Sequence, residues 1–121
     1  MNIQERVSLK AYNTLGFDVE ARFFVRVDNL AQLREATAFA QHQSLEILLL
    51  GGGSNIVLTQ PVAGVAIYLG LQGKSVEAQV DKILLQAQAG ENWHQLVQWS
   101  LQQKAFGLEN LSLIPGNIGA A

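Results

Sequence analysis

The chain has 121 residues, 49% hydrophobic and 15% charged, which suits one ordinary domain with a buried core and excludes a disordered tail. The net charge of −2 and the lack of a Lys/Arg stripe argue against nucleic-acid binding, and the lack of cysteine excludes disulfides and thiolate metal sites. No apolar run approaches the ~20 residues of a membrane span, and the charged first ten residues do not resemble a signal peptide, so we expect a cytoplasmic protein.

The first half of the chain predicts a strand, a helix and a second strand. Residues 1–20 have no regular pattern, apart from a turn at 13–16. Residues 21–27 are rich in Phe and Val and predict a strand. Asn29 can cap a helix that ends near Gln43, with Leu30, Leu33, Thr37 and Ala40 on one face. Residues 46–50 predict a buried strand, so this order favours a βαβ unit with a parallel pair.

The second half begins with three consecutive glycines. We expect strands at 56–58 and 65–69, separated by a turn at Pro61 to Gly64. The polar residues 72–75 mark a boundary between two lobes, residues 1–70 and 71–121.

The second lobe reads as a hairpin followed by a helix. Residues 76–89 predict the hairpin, with its turn near Asp81 and Lys82. Asn92 can cap a helix over 93–103, with Leu96, Val97 and Leu101 inward. The remainder, 106–121, reads as a loop, and the second lobe is expected to be incomplete.

Two glycine-rich segments are the candidate binding elements. Gly51, Gly52 and Gly53 lack Cβ atoms, so their backbone can approach a ligand, and successive N–H groups in such a turn can form a nest for a phosphate oxygen. Ser54 and Asn55 add side-chain donors. A second segment with Pro115, Gly116 and Gly119 could meet the first on a pyrophosphate. Plain structural turns explain the same spacing.

The common nucleotide motifs do not fit. The Rossmann pattern G-x-G-x-x-G requires glycine where Ile56 stands, and the phosphate loop G-x-x-x-x-G-K-[ST] requires it at Tyr68. His42 and His94 have no acidic partner at ligand spacing, so no metal site is predicted. Glu91 and Glu109 read as isolated carboxylates.

Four blocks of sequence resemble the UDP-N-acetylenolpyruvoylglucosamine reductase family. Residues 13–16 (NTLG) resemble its early N-T-[FL]-G, and 49–55 (LLGGGSN) match its L-G-x-G-S-N. Residues 89–93 (AGENW) resemble G-A-G-x-x-W, and 107–120 resemble G-[LA]-E-x-L-x-x-I-P-G-x-[IV]-G-[AGS]. The four blocks lie in the family's order.

The resemblance implies an α+β FAD-binding fold of the vanillyl-alcohol-oxidase type, in which two small lobes hold FAD between them. It places the first wall of the pyrophosphate site at Gly51, Gly52, Gly53, Ser54 and Asn55. It places the second wall at Ile114, Pro115, Gly116, Gly119 and Ala120, with Asn13 and Thr14 as further contacts.

The resemblance also implies a two-step flavin reaction. In the family, NADPH reduces the flavin, which passes a hydride to the enolpyruvyl group of UDP-N-acetylglucosamine enolpyruvate during peptidoglycan synthesis. The family's proton-donating serine, arginine and glutamate would lie beyond Ala121, together with a substrate domain. We therefore expect this stretch to be inactive alone and to self-associate. The alternatives are another flavin oxidase of the same fold, or a small α/β domain without a cofactor.

Overall fold

A computed structural model describes all 121 residues, which form six strands and two α-helices. In chain order these are β1 (Gln4–Ser8), β2 (Glu20–Val27), α1 (Leu30–His42), β3 (Ile47–Leu50), β4 (Val62–Leu69), β5 (Lys74–Ala78), β6 (Ile83–Ala87) and α2 (Trp93–Gln102). Short 3₁₀ turns occur at Lys10–Tyr12, Glu109–Leu111 and Ile118–Ala120. Neither helix has the length and apolar character that a membrane crossing requires.

The first lobe is built on a four-stranded sheet with the order β1-β2-β4-β3. β1 pairs antiparallel with β2, whereas β4 pairs parallel with both β2 and β3. The predicted strand–helix–strand unit is therefore present as β2, α1 and β3, but β2 and β3 are not neighbours because β4 lies between them.

The two faces of this sheet carry separate apolar clusters, because alternate side chains of a strand point to opposite faces. On one face, Val25 and Ile67 pack against Ala36 and Ala40 of α1. On the other face, Phe24 and Ala66 belong to a cluster with Leu9, Leu50 and Leu58. Burying a large aliphatic or aromatic side chain contributes about 1.5–3 kcal/mol, so these clusters are the main source of stability for the lobe.

The predicted cap of α1 is confirmed. Asn29 Oδ1 accepts a hydrogen bond from the Gln32 N–H at 2.9 Å, and Gln32 Oε1 accepts one from the Asp28 N–H at 2.8 Å. The two bonds satisfy free donors at the start of the helix. Of the four residues predicted on one face of α1, Ala40 is buried and Leu30 is 58% exposed.

The second lobe consists of the β5–β6 hairpin and α2. The hairpin turns where the Gln79 N–H donates to the Lys82 carbonyl at 2.8 Å, as predicted. Asn92 Oδ1 caps α2 by accepting from the Gln95 N–H at 3.0 Å. Leu96 and Val97 are buried as expected, but Leu101 is 39% exposed and Ser100 takes the inward position.

Three local predictions are wrong, each for a physical reason. Residues 4–8 form the edge strand β1, whose polar sequence shows no alternation and which depends on pairing with β2. Residues 56–58 form no strand, because Leu58 packs onto the sheet face while β4 is already flanked on both sides. Residues 62–64 are not a turn but the start of β4, where Gly64 lets the Glu46 carbonyl approach the backbone. The lobe boundary at residue 70 stays a prediction.

A candidate anion-binding cleft between two glycine-rich loops

The first loop, residues 51–55, follows the buried end of β3 and is fixed at Gly53. Gly53 has φ +68°, and a Cβ atom there would lie 2.0 Å from the Tyr12 carbonyl oxygen. The Thr14 N–H donates to the Gly53 carbonyl at 3.0 Å, and Thr14 Oγ1 donates to the same oxygen at 3.3 Å. Only glycine fits this close, left-handed position. The contacts of Gly53 with Tyr12 and Thr14 therefore fix the conformation of the first loop.

Asn13 supports this turn from inside. Its side-chain amide donates to the carbonyls of Leu9 at 2.7 Å and Phe17 at 3.0 Å, and its Oδ1 accepts from the Phe17 N–H at 2.9 Å. Asn13 is buried, and both of its amide hydrogens have protein partners. Thr14 likewise bonds to Gly53. The structure therefore gives both residues a role in holding the loop, and their contact with the cofactor stays a prediction.

The backbone of the first loop offers donors to a ligand. None of the N–H groups of residues 51–56 donates a hydrogen bond to another backbone group. They line a recess of about 200 Å³ formed by residues 49–56 together with Ala120. Consecutive unpaired N–H groups on a concave surface form a nest that can bind an anion.

The second loop is held against the start of α2. The Trp93 N–H donates to the Gly116 carbonyl at 3.0 Å, and the Ile118 N–H donates to the Glu91 carbonyl at 2.8 Å. These bonds make an isolated antiparallel bridge between Asn92 and Asn117. Gly116 has φ +110°, a conformation that side chains rarely adopt.

The two loops meet. A Cβ atom on Gly52 would lie 3.4 Å from Gly116 Cα and 3.5 Å from Asn117 Oδ1. A Cβ atom on Gly116 would lie 3.1 Å from Ser54 Oγ. The absence of a side chain at Gly52 therefore lets the two loops approach closely, and each loop forms one wall of the cleft.

The remaining residues of the second segment differ in how they relate to the cleft. Gly119 packs tightly, since a Cβ atom there would lie 2.8 Å from Ala89 Cβ, and its N–H donates to the Ala89 carbonyl at 3.0 Å. The Ala120 N–H donates to the Asn117 carbonyl at 3.0 Å, so neither N–H is free for a ligand. Ile114 and Pro115 are exposed. The N–H groups of Ile114 and Gly116 donate to no backbone carbonyl.

Glu91 is not an isolated carboxylate. It is 6% exposed, its Oε1 accepts from the Gly73 N–H at 2.8 Å, and its Oε2 lies 3.7 Å from Lys74 Nζ. Lys74 Nζ in turn lies 5.6 Å from the centre of the Trp99 ring. Glu91 thus joins the start of β5 to the entry of α2, through partners that no local pattern in the sequence indicates.

Glu109 is likewise engaged. Its carboxylate accepts from its own N–H and from the Gly107 N–H, the latter at 2.6 Å, and these bonds lower the pKa of Glu109. Sequence reasoning also gave no partner to His94, whose Nδ1 accepts from the Leu113 N–H at 2.9 Å. No group of three or more His, Asp or Glu side chains is arranged to hold a metal ion.

Comparison with known proteins identifies relatives of this architecture. The family model described as an FAD binding domain matches residues 21–121. The UDP-N-acetylenolpyruvoylglucosamine reductase of Pseudomonas putida is 48% identical over 98% of this chain and 35% of its own length. The reductase of Pseudomonas aeruginosa is 46% identical over 100% of this chain and 36% of its own length.

A solved structure agrees with these matches. UDP-N-acetylenolpyruvylglucosamine reductase from Thermus caldophilus superimposes with a TM-score of 0.73 and 29% identity, covering 100% of this chain and 41% of its own. The chain thus spans about a third of the length of the curated relatives it matches. These findings confirm the predicted family resemblance, the α+β FAD-binding fold and FAD as the cofactor.

Proposed function

The chain belongs to the FAD binding domain family, and on that premise we propose that it is the FAD-binding part of an NADPH-dependent UDP-N-acetylenolpyruvoylglucosamine reductase. The observation that carries the proposal is the meeting of the two glycine-rich loops, with Gly52 and Gly116 in contact distance and unpaired backbone donors in the first loop. A ligand with two adjacent phosphates suits such a two-walled cleft.

The residues present fit the pyrophosphate of FAD. In the first wall, the backbone N–H groups of residues 51–55 provide donors. Ser54 and Asn55 line the same recess and add a hydroxyl and an amide side chain. In the second wall, Ile114 and Pro115 are exposed, Gly116 approaches Ser54 of the first loop, and Ala120 lines the recess with residues 49–56. Gly119 packs against Ala89. Hydrogen bonds to an ionised group are the stronger ones, which favours an anionic ligand here.

The chemistry in the whole enzyme would be hydride transfer. FAD, when bound, carries a hydride from NADPH to the enolpyruvyl group of UDP-N-acetylglucosamine enolpyruvate, a step of peptidoglycan synthesis. The part played by the residues described above is to bind and orient the cofactor through its phosphates. A biosynthetic enzyme of nucleotide-linked sugars that uses NADPH would work in the cytoplasm, in keeping with the expectation from the sequence.

Titration calorimetry with FAD and FMN tests the binding proposal. FMN lacks the pyrophosphate and the adenosine, so a chain that holds FAD through the cleft should bind FAD at least about tenfold more tightly, a difference of about 1.4 kcal/mol. ADP should compete with FAD, because it supplies the same pyrophosphate. Equal affinity for FAD and FMN, or no competition by ADP, would contradict the proposed cleft.

Activity is tested separately in a chain extended with the remainder of a relative's sequence. NADPH should reduce the flavin, which is followed by the loss of its absorbance at about 450 nm. Addition of the enolpyruvyl substrate should then reoxidise the reduced flavin and restore that absorbance. A protein that reduces flavin but ignores that substrate would indicate another flavin oxidoreductase of the same fold.

We also propose that this chain self-associates through the β5–β6 hairpin and α2. An open groove of about 980 Å³ between β6 and α2 is lined mainly by apolar side chains, among them Ile83, Leu96 and Phe106, and Phe106 is 72% exposed. Exposed apolar surface and an unpaired strand edge favour association. Light scattering over a concentration series should show a rising mass that Phe106→Glu reduces, while a constant monomer mass would refute association.

A further inference from the structure

The second loop depends on the first turn of α2 for its conformation. Residues 111–116 contain no α-helix or strand, and Leu113 adopts φ 62°, which is uncommon for a residue with a side chain. The Leu113 side chain is 78% exposed, so packing does not hold it there. Something else must fix the backbone of this segment in front of the cleft.

Three hydrogen bonds between residues 111–116 and the consecutive residues Trp93 and His94 supply that restraint. The Trp93 indole Nε1–H donates to the Leu111 carbonyl at 2.7 Å. The Trp93 backbone N–H donates to the Gly116 carbonyl at 3.0 Å. The Leu113 N–H donates to His94 Nδ1 at 2.9 Å. The bonds thus reach the start, the middle and the end of residues 111–116.

The bond to His94 has a chemical requirement. A ring nitrogen accepts a hydrogen bond only when it carries no proton, so His94 must present Nδ1 as the acceptor and hold its proton on Nε2. No other side chain accepts a hydrogen bond from this segment. The His94 Nδ1 atom is therefore the one side-chain acceptor that holds the Leu113 N–H in its φ 62° conformation.

We propose that His94 is a positioning residue for FAD, with Trp93 as its partner, and that it acts through the backbone of residues 111–116 without touching the cofactor. This inference rests on the proposed binding of FAD in the cleft. Removing the Nδ1 acceptor frees Leu113 to leave its φ 62° conformation, which displaces Gly116 from its contact with the first loop.

His94→Leu and His94→Asn form the central test. The Asn Oδ1 atom stands the same number of bonds from the backbone as His Nδ1, so it can accept the Leu113 N–H, whereas Leu cannot. We expect His94→Leu to weaken FAD binding about five- to tenfold, as the loss of one hydrogen bond in a ligand-facing loop predicts, and His94→Asn to recover most of the affinity.

Hydrogen exchange provides a readout that needs no cofactor. In the protein without FAD, the Leu113 amide should exchange faster in His94→Leu than in His94→Asn, while the amides of α2 keep their protection. His42→Leu, the same change at the exposed end of α1, is the matched control and should alter neither exchange nor FAD affinity.

The outcomes separate the two proposals. Unchanged exchange at Leu113 in His94→Leu, or an FAD affinity of His94→Asn no better than that of His94→Leu, overturns the positioning role. Faster exchange at Leu113 with full FAD affinity in His94→Leu also overturns it, because the loop would then not matter to the cofactor. Absence of FAD binding by the unaltered chain would instead refute the proposed function, whatever the exchange data show.

Discussion

Gly53 of the first glycine-rich loop and Gly119 of the second are both fixed by close contact, but with different surroundings. Gly53 has a left-handed backbone pressed against the Tyr12 carbonyl, and the N–H groups around it stay free of backbone partners. Gly119 packs against Ala89 Cβ and uses its N–H in a bond to the Ala89 carbonyl. Glycine-rich composition alone therefore does not distinguish a loop that offers its backbone to a ligand from one that packs it against the protein.

The first loop should be the more sensitive of the two to a single added methyl group. In Gly53→Ala the new Cβ would lie 2.0 Å from the Tyr12 oxygen in a backbone that favours glycine, so we expect unfolding free energy to fall by more than about 3 kcal/mol. Urea unfolding measures this. Gly52→Ala, where the nearest atom is 3.4 Å from the added Cβ, is the control within the same loop. Equal stability of the two variants would contradict the close contact between Gly53 and the Tyr12 carbonyl.

Packing of the second loop on Ala89 can be tested by a double-mutant cycle. Gly119→Ala should cost about 1–3 kcal/mol by overpacking, since its Cβ would lie 2.8 Å from Ala89 Cβ. Ala89→Gly removes that methyl group and should recover part of the loss in the double variant. Strictly additive effects in urea unfolding would show that the two positions do not touch.

The contact between the loops can be probed at Gly52. In Gly52→Val the branched side chain would push against Gly116 and Asn117, which widens the cleft. We expect at least about a tenfold loss of FAD affinity, equivalent to about 1.4 kcal/mol, with little change in melting temperature of the protein without FAD. If Gly52 only forms a turn, the melting temperature should fall and the affinity of the folded protein stay the same.

The smallest expected effect concerns Glu109. Its pKa is lowered because its carboxylate accepts backbone N–H groups, its own and that of Gly107. A lowered folded-state pKa means that the stabilisation is present above the ordinary glutamate value of about 4.3 and is lost as the pH falls through the folded-state value. An NMR titration should find the Glu109 pKa below the ordinary glutamate value. A pKa at or above the ordinary value would refute the bonds.

Sequence periodicity located most elements of the fold because they bury apolar side chains. β2, α1, α2 and the β5–β6 hairpin were all found from alternating or helical patterns and capping residues such as Asn29 and Asn92. β1 was missed because its position is decided by pairing with β2, which no local pattern records. The strand order could not be predicted from the sequence either, because β4 inserts between β2 and β3 by long-range pairing.

For the cleft, sequence reasoning identified the segments but not the task of each residue. Gly51 to Asn55 stood out by composition, and the resemblance added 13–16, 89–93 and 107–120. The support roles of Asn13, Glu91 and His94 depend on partners 4 to 19 positions away along the chain, which only the folded structure brings into contact.

The central position of β4 bears on the order in which the first lobe assembles. β1 and β2 can pair as soon as both exist, because they are adjacent in the chain and antiparallel. β3 has no partner until β4 follows it, since β4 supplies its only pairing in the sheet. A nascent chain therefore exposes the apolar strand ILLL until residue 69 leaves the ribosome, and that interval is when premature aggregation is most probable.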